Sequence, residues 1–335
     1  MFKILERNEL AAHIYQMVVE APRVAANCLP GQFLIVRVDE EGERIPLTIC
    51  DYDREKGTVE IVVQSIGAET NEIAKMQAGD SFADIVGPLG NPSDMVHENL
   101  EELKKKKIVF IAGGVGTAPV YPQAKWLKEN GITADVIIGA KNKDLVILEE
   151  RFKEVSNLYI TTDDGSYGRS GMVTKCLQDL VDEGHHYDLC IAIGPMIMMK
   201  FVCKLTQELN IPTIVSMNTI MVDGTGMCGA CRLTVGGEVK FACVDGPEFD
   251  GHKVDFDQAM VRMKQYKTEE GIRRDQIKAY VPYVIRDGRK IDCEKGFLRG
   301  VMTDYMVFRV HCPGAVYWTT RGFGAVRKVL KGSED

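Results

Sequence analysis

Short runs rich in β-branched and other apolar residues, bounded by Gly, Pro and Asp, dominate the first hundred residues. These runs predict strands at Gln32–Val38, Thr58–Ile66 and Ser81–Val86. Several short strands with turn residues between them favour a small antiparallel β-barrel. We assign it to residues 1–100.

After residue 104 the pattern changes, and strand-length apolar runs alternate with segments of helical length. The predicted strands are Ile108–Ala112, Ala134–Gly139, Leu158–Thr162, Asp188–Ile193 and Thr213–Met217. The predicted helices are Thr117–Asn130, Leu148–Val155, Gly171–Asp182 and Met196–Asn210. This alternation implies right-handed crossovers and a parallel sheet, an α/β domain over residues 101–220.

Two further regions follow the α/β domain. Residues 221–251 are rich in Gly and Cys and too short for an apolar core of their own, which favours a small lobe stapled by a metal. A predicted helix, Asp255–Lys267, completes this lobe, which we assign to residues 221–280. Residues 281–335 are basic and aromatic, and we assign them neither a fold nor a role.

Composition excludes several classes of protein. With 335 residues, 45% hydrophobic and 27% charged, the chain has the make-up of a globular protein. A net charge of −7 argues against nucleic-acid binding. No run approaches the roughly 20 apolar residues that span a bilayer, and the first ten residues are too charged for a signal peptide. We therefore expect a cytoplasmic protein without membrane contact.

The segment that joins the first strand and helix of the α/β domain is a candidate dinucleotide site. Gly113, Gly114 and Gly116 would let the backbone approach a pyrophosphate, with Thr117 opening the helix whose amides face the anion. The spacing is not G-x-G-x-x-G, so a tight turn without a ligand is the alternative.

Two later strand ends support this site. They supply the candidates Asp163 and Gly165 after one strand, and Gly194, Pro195 and Met196 after the next. Ligands bind at the carboxyl edge of open α/β sheets, where all three loops should meet. The pair Asp163-Asp164 would repel a 2′-phosphate and so favours NAD(H), unless these carboxylates are merely solvated.

The barrel offers a candidate flavin site. Arg44 lies after a predicted strand, close to a hydroxyl residue, and could hold a phosphate while that hydroxyl bonds to a ring edge. The candidate contacts are Arg44, Pro46, Leu47, Thr48, Val63, Gln64 and Thr70. The residues alone leave a purely structural barrel turn as the alternative.

Asp223, Cys228, Cys231 and Cys243 are the candidate metal ligands, spaced D-x4-C-x2-C-x11-C. Plant-type [2Fe–2S] proteins use C-x4-C-x2-C with a distant fourth cysteine, so here an aspartate occupies the first position. Three thiolates and a carboxylate could also bind zinc. The location behind two nucleotide modules favours the one-electron carrier. The remaining cysteines are scattered, and most should be small core residues.

These motifs, in this order, resemble the ferredoxin reductase superfamily, in which a flavin barrel precedes a nicotinamide domain. With the cysteine lobe added, the chain resembles the electron-transfer subunits of class B dihydroorotate dehydrogenases. The aspartate makes it more similar to the small subunits of NADH-dependent reduced ferredoxin:NADP+ oxidoreductases, also called sulfide dehydrogenase beta subunits. The resemblance covers about residues 1–280.

The resemblance implies FAD, NAD(H) and a [2Fe–2S] cluster with Asp223 as an iron ligand. It also implies a larger partner subunit with FAD and [4Fe–4S] clusters, which reaches ferredoxin and supports electron bifurcation. A nicotinamide gives a hydride and a cluster takes single electrons, so a flavin must stand between them. No protein acid or base is required, and we assign no catalytic residue. Alternatives are a dihydroorotate dehydrogenase subunit, a stand-alone NAD(P)H reductase and a zinc-stapled binding module.

Overall fold

A computed structural model describes residues 2–40 and 42–272, together with four short strands farther along the chain. The chain forms two compact units, Met1–Gln265 and Tyr266–Asp335. The first unit contains all the candidate site residues.

An antiparallel sheet of seven strands begins the first unit. Its strands are β1 (Phe2–Ala11), β2 (Ile14–Glu20), β3 (Phe33–Arg37), β4 (Ile45–Asp53), β5 (Thr58–Gln64), β6 (Ser81–Phe82) and β7 (Asp84–Leu89), in the spatial order β6-β1-β2-β5-β4-β3-β7. The helices of this region are α1 (Pro22–Asn27), α2 (Ala68–Lys75) and α3 (Leu100–Leu103).

The segment from β6 to β7 brings the two ends of this sheet together. Phe82 of β6 pairs with Phe2 of β1 at one end, and Asp84 of β7 pairs with Arg37 of β3 at the other. Since Ala83 alone separates β6 from β7, the sheet curls into a nearly closed barrel. The predicted antiparallel barrel is confirmed.

The second part of this unit alternates strands and helices. Its strands are β8 (Ile108–Gly113), β9 (Ala134–Ala140), β10 (Ser156–Thr162), β11 (Arg169–Ser170), β12 (Leu189–Ile193) and β13 (Thr213–Ser216). Its helices are α4 (Thr117–Glu129), α5 (Glu149–Val155), α6 (Val173–Asp182) and α7 (Met196–Glu208). The six strands pair in parallel in the order β11-β10-β9-β8-β12-β13, which confirms the predicted α/β sheet.

The cysteine-rich lobe completes the first unit and is joined to the α/β sheet. It contains β14 (Arg232–Val235), β15 (Glu238–Phe241), β16 (Glu248–Asp250) and α8 (Phe256–Arg262). Strands β14 and β15 form a hairpin, whereas β16 pairs antiparallel with β13 and extends the α/β sheet by one strand. The lobe is therefore hydrogen-bonded to the α/β domain.

Alternation of side chains along β8 explains the core. Phe110 packs on one face of the sheet, while Val109 and Ile111 pack on the other. The face with Ile111 continues through buried residues of the barrel, such as Phe33, and of the lobe, such as Cys231. One apolar core thus joins the three modules and holds the sites in fixed positions.

Charged side chains also join the barrel to the α/β domain. Arg151 of α5 lies 2.5 Å from Asp51 of β4 and 2.7 Å from Glu60 of β5. Lys125 of α4 lies 2.8 Å from the same Asp51, and Arg151 stacks 4.0 Å above the ring of Tyr121. These half-buried pairs are screened less than surface pairs, so they fix the orientation of the two modules.

Beyond the first unit, the backbone of four strands is described: β17 (Tyr283–Arg286), β18 (Arg289–Asp292), β19 (Met306–Arg309) and β20 (Tyr317–Thr320), paired antiparallel in the order β18-β17-β19-β20. The rest of the extension predicted from residue 281 lies outside the described residues. The predicted domain boundaries at residues 100, 220 and 280 stay predictions.

Each predicted strand or helix overlaps an observed one, although Ser81–Val86 is divided between β6 and β7 and the predicted helix Asp255–Lys267 is shorter, as α8. Strands β1 and β2 have no counterpart in the sequence prediction, because charged residues interrupt the apolar positions of β1. Ile45–Thr48 follow β3, as predicted, and are themselves the start of β4, which the sequence prediction did not include. Among the described residues, no helix has the length and apolar character needed to span a membrane.

Five scattered cysteines are buried and free, as expected for small core residues: Cys28, Cys50, Cys176, Cys190 and Cys203. Burial raises the pKa of the Cys176 thiol to about 11 and that of Cys203 to about 12. These thiols stay protonated at neutral pH and are poor nucleophiles. Cys293 and Cys312 lie outside the described residues.

Glu248 of β16 is a partly buried acid between the lobe and the α/β domain, and its Oε2 is buried. Its Oε1 accepts a hydrogen bond of 2.7 Å from Nε2 of Gln123 on α4. Burial, reinforced by the nearby Asp94 carboxylate, raises the pKa of Glu248 to about 7. Because the folded state holds the proton more tightly than the unfolded chain, this group's stabilisation is full in acid and is lost as the pH rises through 7.

We therefore expect Glu248→Gln to be more stable than the wild-type chain at pH 8, by up to about 3 kcal/mol. At pH 5 this advantage should largely vanish, because Glu248 is then protonated in the folded state. Urea unfolding followed by circular dichroism at both pH values measures the difference. Glu154→Gln, at an exposed position on α5, is the control. A parallel pH dependence in the wild type and Glu248→Gln would contradict the assignment.

Candidate functional site: two glycine loops and a cysteine loop

The loops after β8 and β12 meet at the carboxyl edge of the sheet. After β8, a single 3-10 turn (Gly114–Gly116) leads directly into α4. A Cβ atom on Gly116 would lie 2.3 Å from the carbonyl oxygen of Ile193, and one on Gly113 would lie 2.3 Å from Sδ of Met198. At Gly116 the neighbouring atoms belong to the backbone, so only glycine fits there, whereas a side chain at Gly113 would displace Met198.

The hydroxyl of Thr117 closes the first loop by donating a hydrogen bond of 2.7 Å to the carbonyl of Gly114. Thr117 is fully buried, and Gly114 has a φ of +56°, a conformation that favours glycine. No side chain caps the N-terminus of α4, and an uncapped helix N-terminus attracts an anion.

Of the other predicted nucleotide contacts, some lie beside this edge and some do not. Pro195 precedes α7, and Met196 is buried at its start. Asp163 and Gly165 follow β10, which is separated from β8 by β9. All three loops share the carboxyl edge, as predicted, but the contact we observe joins the loops after β8 and β12.

The acidic pair after β10 is partly engaged in its own turn. The Asp164 carboxylate accepts a hydrogen bond of 2.9 Å from the amide of Ser166, and hydrogen bonding to Ser166 lowers the pKa of Asp164. The backbone amide of Asp163 donates to the carbonyl of Ala140. Asp163 and Asp164 are both exposed, so either carboxylate is accessible to a bound nucleotide.

The predicted flavin contacts lie on three barrel elements. Pro46, Leu47 and Thr48 pair with β3 and are partly exposed. Val63 is buried in the barrel core, whereas the neighbouring Gln64 is exposed at the end of β5. The Thr70 hydroxyl accepts hydrogen bonds from the amides of Gly67 and Ile66 and so caps α2.

Arg44 adopts a position that the sequence did not reveal. Its Nε donates a hydrogen bond of 2.9 Å to the carbonyl of Val222, and its Nη2 donates one of 3.3 Å to the carbonyl of Asp223. Its Nη1 lies 3.9 Å from the carboxylate of Asp84 on β7. The arginine thus reaches from the barrel to the start of the cysteine loop, which we define as residues 221–231.

The cysteine loop folds around Asp223. One carboxylate oxygen of Asp223 accepts a hydrogen bond of 2.7 Å from the amide of Thr225, and the other accepts from the amides of Met227 and Cys228 at 3.0 and 2.8 Å. These hydrogen bonds lower the pKa of Asp223, so it is a carboxylate at neutral pH. It is partly exposed, and its charged form is the one that binds metal ions.

Two of the three candidate thiols, those of Cys231 and Cys243, are in contact with each other. Sγ of Cys231 lies 3.2 Å from Sγ of Cys243, and both side chains are buried. Cys228 is exposed on the loop, and its Sγ accepts a hydrogen bond of 3.5 Å from the amide of Ala230. Within residues 2–40 and 42–272, no group of three or more His, Cys, Asp or Glu side chains is close enough to hold a single metal ion.

This arrangement fits an iron–sulfur cluster. A [2Fe–2S] cluster takes its ligands in two pairs, one at each iron, so four ligands need not converge on one point. The buried pair of Cys231 and Cys243 matches one end, and the exposed Cys228 and Asp223 match the other. The amide of Ala230, directed at a sulfur, is of the kind that stabilises a reduced cluster.

The cysteine loop packs directly on the barrel. A Cβ atom on Gly224 would lie 2.7 Å from Cδ1 of Ile35 and 2.8 Å from Cδ1 of Leu89, and its φ is +76°. On the other side of the loop, Arg262 of α8 donates a hydrogen bond of 3.2 Å to the carbonyl of Ala230. Neither contact could be predicted from the sequence, because both depend on the packing of segments that are far apart in the chain.

Comparison with known proteins agrees with this geometry. The iron–sulfur cluster binding domain of dihydroorotate dehydrogenase B matches residues 218–255. The dihydroorotate dehydrogenase B (NAD(+)) electron transfer subunit homolog of Thermotoga maritima is 45% identical over 270 residues, which are 81% of this chain and 93% of that protein.

Solved structures extend the similarity to the fold. A chain from the structure of NADH-dependent reduced ferredoxin-NADP oxidoreductase, solved to study flavin-based electron bifurcation, matches with a TM-score of 0.77 and 41% identity. The match covers 83% of this chain and 98% of that one. The ferredoxin reductase of carbazole 1,9a-dioxygenase, at 14% identity and a TM-score of 0.51 over 63% of this chain and 65% of its own, shares the fold alone. The resemblance inferred from the motifs is confirmed, and so is the ferredoxin reductase-like fold with its iron–sulfur lobe.

Proposed function

This chain belongs to the family of dihydroorotate dehydrogenase B electron-transfer subunits and their homologues, and we propose that it carries electrons between NAD(H), FAD and a [2Fe–2S] cluster in a cytoplasmic complex. The observation that carries the proposal is the placement of the cysteine loop. Arg44 and Gly224 hold this loop on the barrel strands, within the same compact unit as the two glycine loops.

The glycine loops bind the nicotinamide nucleotide in this proposal. The diphosphate lies against Gly113, Gly114, Gly116 and Thr117, where the N-terminal amides of α4 donate to it. Gly194, Pro195 and Met196 shape the opposite wall. Asp163 and Gly165 line the adenosine side, where the exposed carboxylates disfavour a 2′-phosphate.

The barrel binds FAD, with Pro46, Leu47, Thr48, Val63, Gln64 and Thr70 as its contacts and Arg44 within reach. Cys228, Cys231, Cys243 and Asp223 hold the irons. FAD accepts two electrons as a hydride and releases them singly, which is the chemistry that links a nicotinamide to a cluster. The protein positions these groups and excludes water from Cys231 and Cys243, and none of its side chains needs to transfer a proton.

We further propose a larger partner subunit with FAD and [4Fe–4S] clusters, through which ferredoxin reacts. The side chains around the exposed Cys228 support a partner at this place. Met227 is 88% exposed, and Val222 and Val244 are also exposed apolar residues. Apolar side chains clustered beside a redox ligand are typical of a surface that another protein covers.

Anaerobic native purification tests this proposal. We expect a larger flavoprotein to co-elute in equal amounts and to couple the oxidation of reduced ferredoxin and NADH to NADP+ reduction. The domain match to dihydroorotate dehydrogenase B supports one alternative, a partner that oxidises dihydroorotate. The absence of any stoichiometric partner would contradict the proposal and favour a stand-alone reductase.

A further inference from the structure

Arg44 is placed to hold the cysteine loop, because two of its nitrogens are hydrogen-bonded to carbonyls of that loop. The side chain is about a third exposed, and two of its three nitrogens are hydrogen-bonded to the carbonyls of Val222 and Asp223. The third nitrogen lies next to Asp84. A fork geometry of this kind fixes both the distance and the angle between two backbone segments.

One of the two carbonyls that Arg44 contacts belongs to Asp223, whose side chain organises the cysteine loop. Asp223 binds three amides of the loop through its carboxylate, while its own carbonyl accepts from Arg44. A shift of Arg44 therefore moves Asp223 and with it the turn that carries Cys228. Arg262 makes the corresponding contact at Ala230, on the far side of the loop.

We propose that Arg44 is a positioning residue for the iron–sulfur lobe. It anchors the cysteine loop on the barrel, and its positive charge favours the reduced cluster, which is more negative by one unit than the oxidised one. The charge of nearby groups and the order of the surrounding backbone are among the factors that set cluster potentials. This inference rests on the proposed function, in which the loop holds a [2Fe–2S] cluster.

Three variants, each purified anaerobically as the full chain with its cofactors, separate the two roles of Arg44. Arg44→Gln removes the charge, whereas Arg44→Lys keeps the charge but loses the fork. Arg37→Gln is the matched control, since Arg37 lies in the same barrel and its side chain donates to the carbonyl of Glu40 rather than to the cysteine loop. The readouts are FAD and iron per chain, the EPR spectrum of the reduced cluster and its midpoint potential.

If the proposal holds, Arg44→Gln retains FAD and iron, and its cluster potential shifts to lower values with altered EPR lines. Arg44→Lys should keep the potential close to wild type but broaden the EPR lines, because the loop is held less precisely. Arg37→Gln should match the wild type in every readout. The conservative lysine variant provides a folded sample even if the glutamine variant is unstable.

Loss of FAD from both Arg44 variants, with unchanged EPR lines and potential, would overturn the proposal and make Arg44 a flavin phosphate ligand. Variants indistinguishable from wild type in all readouts would overturn it as well. The proposed function fails separately, because it requires the wild-type chain itself to contain flavin and a [2Fe–2S] cluster.

Discussion

Gly116→Ala is expected to weaken the binding of NAD+ by about 10- to 100-fold. The added methyl group would lie 2.3 Å from the carbonyl oxygen of Ile193 and 2.7 Å from Cα of Gly194. Both are backbone atoms at the end of β12, so neither can rotate away. Overpacking of this kind costs about 1–3 kcal/mol, and it would separate the two loops that hold the diphosphate.

Isothermal titration with NAD+ measures this effect without reducing the flavin. Gly271→Ala is the control, because a Cβ atom there meets nothing within 4 Å. It should bind NAD+ as the wild type does. Wild-type affinity in a folded Gly116→Ala variant would mean that the nucleotide does not lie at the junction of these loops.

Cys231→Ser should remove the cluster while leaving the flavin in place. Cys231 is buried 3.2 Å from Cys243, and a serine hydroxyl is a much poorer ligand for iron than a thiolate. Since serine is close to cysteine in size and Cys231 is not part of the core inside the barrel, we expect nearly complete loss of iron and of the reduced-cluster EPR signal, with FAD content unchanged.

A second buried cysteine separates the loss of a ligand from the loss of core packing. Cys176 of α6 is as buried as Cys231, and Cys176→Ser should keep its iron. Full iron content in Cys231→Ser would exclude this residue from the ligand set. Iron loss from both variants would point to unfolding rather than to ligation.

The sequence was informative where local patterns decide the structure. The apolar strand Ile108–Gly113 and the glycines after it predict a strand, a turn and a helix, because each follows from neighbouring residues. The spacing of Cys228 and Cys231 predicts a metal loop for the same reason. The buried positions of Cys28, Cys50, Cys176, Cys190 and Cys203 follow from their scatter among apolar residues.

The sequence was uninformative where distant segments meet. Arg44 and Val222 are 178 residues apart, and no local pattern links an arginine to a backbone carbonyl. Strand β1 was missed because its polar residues hide the apolar face that packs in the barrel. The addition of β16 to the α/β sheet and the burial of Glu248 likewise depend on how the lobe packs.

The central claim is that NAD(H), flavin and a [2Fe–2S] cluster form one path for electrons in this chain. Anaerobic reduction of the purified protein with NADH, followed by EPR at low temperature, tests it most directly. We expect the flavin absorbance to bleach and the spectrum of a reduced [2Fe–2S] cluster to appear. Bleaching of the flavin without a cluster signal, or zinc in place of iron in the cysteine loop, would contradict this electron path.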